Sequence, residues 1–199
     1  MSTGVGSVKA STATINERED VLAALTLAFS TDPGIRWYFP TPPLFYRYFP
    51  EFSVAYGGKA FEEGTAYYVG EYVGAALWLP PGVQPDYEEI GAVMEEALPA
   101  EKLASMEAFV ERIEESHPNE PFWELTVLGV EPTQQRNGYG NLLVEPVLEE
   151  CDREGTPAFL ISSNVRNLSF YFRHGFEIVD TIQFPATPPF VTMRRDPQA

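Results

Sequence analysis

Residues 123–148 read WELTVLGVEPTQQRNGYGNLLVEPVL. The first part, WELTVLGV (123–130), is an apolar run of strand length. The last part opens a helix over 138–154, with Leu143, Val147 and Cys151 on one stripe. Pro146 lies inside that helix and should bend it without ending it. Between strand and helix stands QQRNGYGN (134–141), a turn with two glycines. Glycines there let backbone N–H groups converge with no Cβ in the way, and the helix N-terminus adds a favourable dipole. Both features suit a phosphate. A purely structural turn would explain the same glycines. Two well-known phosphate loops do not fit. A P-loop needs Lys then Ser or Thr after its last glycine, and Gly140 is followed by Asn141. A dinucleotide fingerprint needs a small residue where Leu143 stands, and an acid at the end of the next strand, where Ser162 and Ser163 stand.

Working outward, AFLISS (158–163) is the next strand, and Asn167–His174 a short helix ended by Gly175. FEIVDTIQF and PFVTMRR read as two closing strands. Upstream, residues 8–15 are a candidate first strand, and Asn16 with Glu19 resembles a helix N-cap signal. Val21, Leu22, Leu25, Ala28 and Phe29 then share one helical face, stopped by Asp32-Pro33-Gly34. Residues 35–57 are crowded with aromatics, most of which core packing explains. Residues 66–80 read as a hairpin turning near Gly70-Glu71. Two helices follow, marked by Ile90, Val93, Met94, Ala97 and Leu98, and by Leu103, Met106, Val110 and Ile113. This order predicts one mixed α/β domain over 1–199, with 1–7 flexible.

The chain of 199 residues carries one cysteine, Cys151, so neither a disulfide framework nor a cysteine zinc site is expected. No apolar run reaches membrane-spanning length, and the N-terminus lacks the apolar stretch of a signal peptide; the expectation is a cytoplasmic protein. A net charge of −16 argues against nucleic acid as a partner. Residues 86–120 hold 11 acids against Lys102 and Arg112, which reads as solvated helix faces or as an attraction for cations.

A second motif narrows the reading. In SNVRNLSFYFRHGF (163–176), Asn164, Phe170, Tyr171, Gly175 and Phe176 form N-x5-FY-x3-GF. Together with Gln135-x-x-Gly138-x-Gly140, in this order, it resembles the GNAT superfamily of N-acetyltransferases. Over 121–199 the chain looks most like puromycin N-acetyltransferase and its bacterial relatives, in TVLGVEP, EPVLEECDREGTPAFL, RNLSFY and TMRR.

That resemblance implies an α/β (α+β) GNAT fold. Its mixed, mostly antiparallel sheet would have six or seven strands splayed at the middle, with helices on both faces. It implies acetyl-coenzyme A as co-substrate. No His/Asp/Glu cluster in the sequence suggests a metal. The pantetheine arm would enter the splay like an added strand, near Leu128 and Val130. The N–H groups of Arg136, Asn137, Gly138, Tyr139 and Gly140 would take the pyrophosphate, beside the motif residue Gln135. Asn164 matches a residue that often bonds the pantetheine amide, and Asn167 a position often held by Ala or Asn.

Acetyl transfer needs a neutral amine, a polarised carbonyl and help for the departing thiolate. Glu124 lies in an apolar strand, where a raised pKa would suit a general base. Histone-type family members have a catalytic glutamate at the same spacing from the motif glutamine. A rim or amine-binding carboxylate is the other reading, and a strand bulge near Gly129 would turn the side chain away. Tyr171 matches the tyrosine that acts as general acid toward the coenzyme A sulfur. His117, in a polar loop, and His174, at a helix end, have no Ser or Cys motif beside them, and Cys151 is a core residue.

The expected function is acetyl transfer to a primary amine by direct attack in a ternary complex. The acceptor would be a small molecule, cationic ones included, and the protein a monomer or homodimer. A protein or peptide acetyltransferase and a non-catalytic coenzyme A-binding regulatory module are the alternatives. In the family the acceptor enters past the first helices, which points to Asp32, Arg36, Trp37, Tyr38 and Glu124.

Overall fold

The computed structural model describes residues 8–184 and 187–198; the flexibility expected of 1–7 falls outside them. In chain order the elements are β1 (Ala10–Thr12), α1 (Arg18–Phe29), α2 (Pro33–Tyr38), α3 (Pro42–Gly57), α4 (Ala60–Glu63), β2 (Ala66–Val69), β3 (Gly74–Leu79), α5 (Tyr87–Ala97) and α6 (Ala100–Ser116). Then come β4 (Trp123–Val130), α7 (Tyr139–Glu154), β5 (Ala158–Ser162), α8 (Leu168–Arg173), β6 (Glu177–Ile182) and β7 (Phe190–Arg195). Two local readings change. The first cap is Thr14, whose N–H and hydroxyl both donate to Glu17, and not Asn16 with Glu19. Asp32 does more than end α1: its carboxylate accepts from the N–H groups of Gly34 and Ile35, at 3.0 Å each, and so starts α2.

Seven strands form one sheet in the order β1-β2-β3-β4-β5-β7-β6. Every neighbouring pair is antiparallel except β4 with β5. That parallel pairing joins only Trp123–Leu125 to Ala158–Leu160. Beyond Leu125, β4 continues to Val130 against β3 alone, so the sheet splays at its middle as expected.

Helices cover both faces, and β3 shows why the sheet holds two cores. All six of its residues are buried. Ala75, Leu77 and Leu79 pack with Leu25, Phe45 and Phe49 on one side, whereas Ala76 and Trp78 pack with Leu143, Val147 and Cys151 on the other. The stripe read along α7 therefore fills the second core, and the helix runs through Pro146. Most of the aromatics of 35–57 fill the first, whereas Tyr46 is exposed.

Strand β4 carries one irregularity, and it sets where the side chains of that strand point. Leu77 pairs with Val127, and Trp78 with Leu125, which leaves Thr126 as an extra residue. The Thr126 hydroxyl donates to the Leu77 carbonyl at 3.0 Å. The bulge lies here and not near Gly129. It switches which residues of β4 face the first core, from Glu124 before it to Val127 after it. Gly57, at the end of α3, packs so close that a Cβ would stand 2.3 Å from the Thr126 hydroxyl oxygen.

Candidate active site

Where β4 and β5 part, α2, α3, α5 and α6 roof a cavity of about 170 Å³ on the first face of the sheet. Glu124, Leu128, Asn167 and Tyr171 all border it. Tyr171 and Glu124 thus reach one space from different elements, α8 and β4. Most of the remaining wall is aromatic or aliphatic, with Tyr56, Phe109 and Phe190 among its rings.

Glu124 is buried, and its carboxylate accepts a hydrogen bond from the Tyr56 hydroxyl at 2.9 Å. Burial raises its pKa to about 7, and the Tyr56 bond opposes the rise only in part. A carboxyl group balanced near neutrality can take up and release a proton at physiological pH. Tyr56 is the partner that sequence reading missed, because nothing local separates it from the core aromatics around it.

Tyr171 is buried too, and burial pushes its phenol well above the ordinary value. The nearby Asp32 carboxylate adds to that shift. The phenol therefore keeps its proton and acts as a donor. Its ring packs edge-on against Phe170 and Phe176, with centroids 5.3 and 5.9 Å away.

The glycine loop stands at the start of α7, apart from the cavity wall. Gln135 donates from its side-chain amide to the Val130 carbonyl at 3.2 Å, which ties the loop to the end of β4. Asn137 donates to the Gln134 carbonyl at 3.1 Å. Arg136 and Gly138 both have left-handed backbone, with φ of 67° and 84°. For Arg136 that conformation costs on the order of 1 kcal/mol. The N–H groups of Tyr139 and Gly140 open the first turn of α7, where the helix offers them no carbonyl. A Cβ on Gly140 would stand 3.0 Å from the Phe170 ring, so this turn presses against the residue next to Tyr171.

Asn164 accepts from the Arg166 N–H at 3.1 Å and caps the turn before α8. It lies outside the cavity wall. Of the first-helix residues expected to meet an acceptor, Tyr38 borders the cavity, but Asp32 is spent on its cap. Arg36 donates to the Pro40 carbonyl, and the Trp37 carbonyl accepts from Lys102.

His117 departs most from its sequence reading. It follows the last residue of α6 and borders the cavity, its ring edge-on to Phe159 at 4.7 Å. Its Nε2 is buried and has no hydrogen-bond partner among the described residues. Burial lowers its pKa, so the ring is neutral. His174 remains a helix-end residue, with Nδ1 2.9 Å from the Phe170 carbonyl oxygen. Cys151 is a core thiol pushed up to about 12 by burial and is inert at neutral pH.

Comparison with known proteins agrees with this geometry. Residues 92–197 match the family model described as an acetyltransferase (GNAT) domain. An uncharacterized N-acetyltransferase of Schizosaccharomyces pombe is 28% identical over 156 residues, which are 68% of this chain and 61% of that protein. The chain thus spans less than two thirds of that relative's length. A solved structure from Corynebacterium glutamicum, described as a histone acetyltransferase and related acetyltransferase, superposes with a TM-score of 0.67 at 19% identity. That match covers 96% of this chain and 97% of the other. An agmatine N-acetyltransferase variant in its apo form superposes with a TM-score of 0.69 at 15% identity, covering 95% and 99%. At these identities the superpositions speak for the fold alone.

Proposed function

Because this chain belongs to the GNAT acetyltransferase family, we propose that it moves the acetyl group of acetyl-coenzyme A to a primary amine of a small molecule, by direct attack within a ternary complex. The observation that carries this reading is the placing of Glu124 and Tyr171 on one cavity at the parting of β4 and β5. Glu124 takes the proton that the amine must lose to become a nucleophile. The amine nitrogen then bonds to the acyl carbon, the carbon–sulfur bond breaks, and Tyr171 meets the departing sulfur with its hydroxyl. Acetyl-coenzyme A supplies the activated thioester and nothing else.

Three features favour that co-substrate. The free side of β4 at Leu128 and Val130 offers backbone groups to an extended pantetheine arm. The N–H groups from Arg136 through Asn137, Gly138 and Tyr139 to Gly140, with the Arg136 guanidinium, suit a pyrophosphate. Gln135 holds that loop against β4, while Asn164 and Asn167 flank the arm's path. The closer likeness to puromycin N-acetyltransferase rests on the sequence motifs alone. A cationic small amine as acceptor agrees with the agmatine enzyme among the structural relatives and with the carboxylates of Glu114 and Glu124 in the wall.

Release of free thiol from acetyl-coenzyme A, followed with a mixed panel of amines and lysine peptides, tests the proposal. Turnover with small amines is the expected result. Turnover with peptides alone would move the acceptor class to proteins, and binding of coenzyme A without turnover would leave a regulatory module. The loop has its own test. Gly140→Val pushes a branched side chain into the Phe170 ring and across the first turn of α7. The KM for acetyl-coenzyme A is expected to rise at least about tenfold, with a much smaller change in the amine KM and an unchanged circular-dichroism spectrum. An unchanged KM would take the loop out of the binding site.

A further inference from the structure

The two carboxylate oxygens of Glu124 are not alike. Oε1 accepts from the Tyr56 hydroxyl at 2.9 Å. Oε2 has no hydrogen-bond partner among the described residues. It is not sealed off as His117 Nε2 and Trp123 Nε1 are, and so it opens on the cavity that Glu124 borders. The carboxyl group thus has one bound end and one end left for a ligand.

Both members of the pair are held from outside it. The extra residue at Thr126 turns Glu124 to the first face of the sheet. Gly57, next to Tyr56, lies so close to β4 that a Cβ there would stand 2.3 Å from the Thr126 hydroxyl oxygen. The Ala55 carbonyl accepts from the Asp86 N–H at 2.9 Å, which ties the end of α3 to the start of α5. The Tyr56 ring packs beside Phe52, with centroids 5.6 Å apart. A hydrogen bond from a group anchored in this way orients the carboxylate rather than following it.

The other groups around Glu124 act on it less directly. Its sheet partners, Leu79 of β3 and Phe159 of β5, are apolar. The cavity wall also holds Tyr38 from α2, Tyr87 from α5, Glu114 from α6, His117 at its end and Tyr171 from α8. Among the described residues none of these hydrogen-bonds to Glu124, and no lysine or arginine borders the cavity. Burial raises the phenols of Tyr38, Tyr56, Tyr87 and Tyr171 and lowers His117, so at neutral pH all of them are uncharged. Glu114 is exposed, and solvent screens it. Of the wall hydroxyls nearer the sheet, Thr126 donates to the Leu77 carbonyl and Ser162 to the Asn164 carbonyl.

We propose that Tyr56 is a positioning residue for acetyl transfer: its hydroxyl holds Oε1 of Glu124 and leaves Oε2 as the oxygen that takes the acceptor's proton. The ammonium N–H bond breaks, the proton passes to Oε2, and the electron pair left on nitrogen attacks the acyl carbon. A phenol that keeps its own proton bonds more strongly to a carboxylate ion than to a carboxylic acid, so Tyr56 also favours the ionised base. This inference rests on the acetyl-transfer reading with Glu124 as base, and deepens it.

The test compares kcat/KM of Tyr56→Phe with that of the parent between about pH 6 and about pH 9, using acetyl-coenzyme A and one small amine that the parent turns over. The amine's own titration is common to both proteins and cancels in their ratio. Without the hydroxyl, Glu124 holds its proton more tightly. The ratio of variant to parent is therefore expected to be about tenfold smaller at the acid end of that range than at the alkaline end. The loss that remains at high pH should fall on kcat and leave the KM for acetyl-coenzyme A unchanged. Replacement of Tyr56 by 3-fluorotyrosine, a stronger donor of nearly the same shape, should tilt the ratio the opposite way. A side chain that only packs gives a ratio that does not change with pH. A flat ratio in Tyr56→Phe, or tilts of the same sign in the two variants, overturns the inference. If Tyr56→Phe does not fold, the fluorotyrosine protein decides alone, and a ratio that fails to tilt its expected way overturns the inference. A parent profile with no inflection near pH 7 also overturns it, and leaves acetyl transfer standing. No turnover with any amine sinks the acetyl-transfer reading, and this inference with it.

Discussion

Glu124→Gln is expected to lower kcat by about 10²–10⁴-fold, the range for loss of a general base. The substitution is conservative in shape, and the glutamine carbonyl can still accept from the Tyr56 hydroxyl, so the strand and the cavity keep their form. What disappears is the acid–base group held near pKa 7 by burial. In the unchanged protein kcat/KM should fall as pH drops through about 7, because Glu124 then carries its proton and cannot take another. The glutamine variant should lack that limb. Its rate should instead climb toward the pKa of the free amine, so the deficit narrows at high pH. A loss confined to the amine KM, at every pH, would make Glu124 a binding group.

The same substitution should stabilise the fold. The folded-state pKa of Glu124 is raised to about 7 from 4.5, so the folded chain binds this proton more tightly than the unfolded chain. The stability gained from that binding is full below about pH 4.5 and is lost as pH rises through about 7. Above it, the buried carboxylate weighs on the fold by up to about 3 kcal/mol. Glu124→Gln removes that burden. Its Tm should match the parent near pH 4.5 and exceed it at pH 8 by on the order of 5 °C. Opposite signs for activity and stability are what a strained functional group produces. Equal Tm values at pH 8 would mean that Glu124 is better solvated than its burial implies.

Tyr171→Phe is expected to lower kcat by roughly tenfold or more, a barrier increase of at least about 1.4 kcal/mol. Phenylalanine keeps the ring between Phe170 and Phe176, so packing is preserved. Charge on the sulfur develops only as the carbon–sulfur bond breaks, so the contact acts in the transition state and coenzyme A affinity should hardly change. The phenol, raised by burial, holds its proton more tightly than a thiol does, so it helps chiefly by giving a strong hydrogen bond. An acyl donor with a more acidic thiol needs less of that help and should partly restore the variant. Wild-type kcat in Tyr171→Phe, with chemistry limiting the rate, would assign the role to water or to a backbone group.

Legibility in the sequence followed how local each signal was. The glycines of 134–141 and the stripe of Leu143, Val147 and Cys151 are short-range patterns, and they located β4, the turn and α7 to within a residue or two. The hairpin of β2 and β3 announced itself in the same way. The Tyr56–Glu124 hydrogen bond joins residues 68 apart in a stretch rich in similar aromatics, and no local pattern marks the pair. The extra residue at Thr126 leaves no trace in an apolar run, because the alternation that would expose it is absent when both faces are buried. α2 was hidden because Asp-Pro-Gly reads as a stop; the same aspartate that follows one helix caps the next. His117 looked idle because its place in the wall depends on where α6 ends over β5.

The parting of the sheet also bears on how this protein avoids sticking to itself. A row of unpaired strand groups is ordinarily a hazard, since any passing chain can extend the sheet there. The outer rims here are β1, only three residues long, and β6, irregular at Val179. A further unaccompanied run belongs to β4 past Leu125, and it lies indoors, with α1 and α3 packed on one face and α7 on the other. A foreign strand, with side chains above and below its plane, finds both sides already taken. The pantetheine arm proposed for this gap carries no such side chains, and on that proposal it would take up the groups that would template aggregation on a rim.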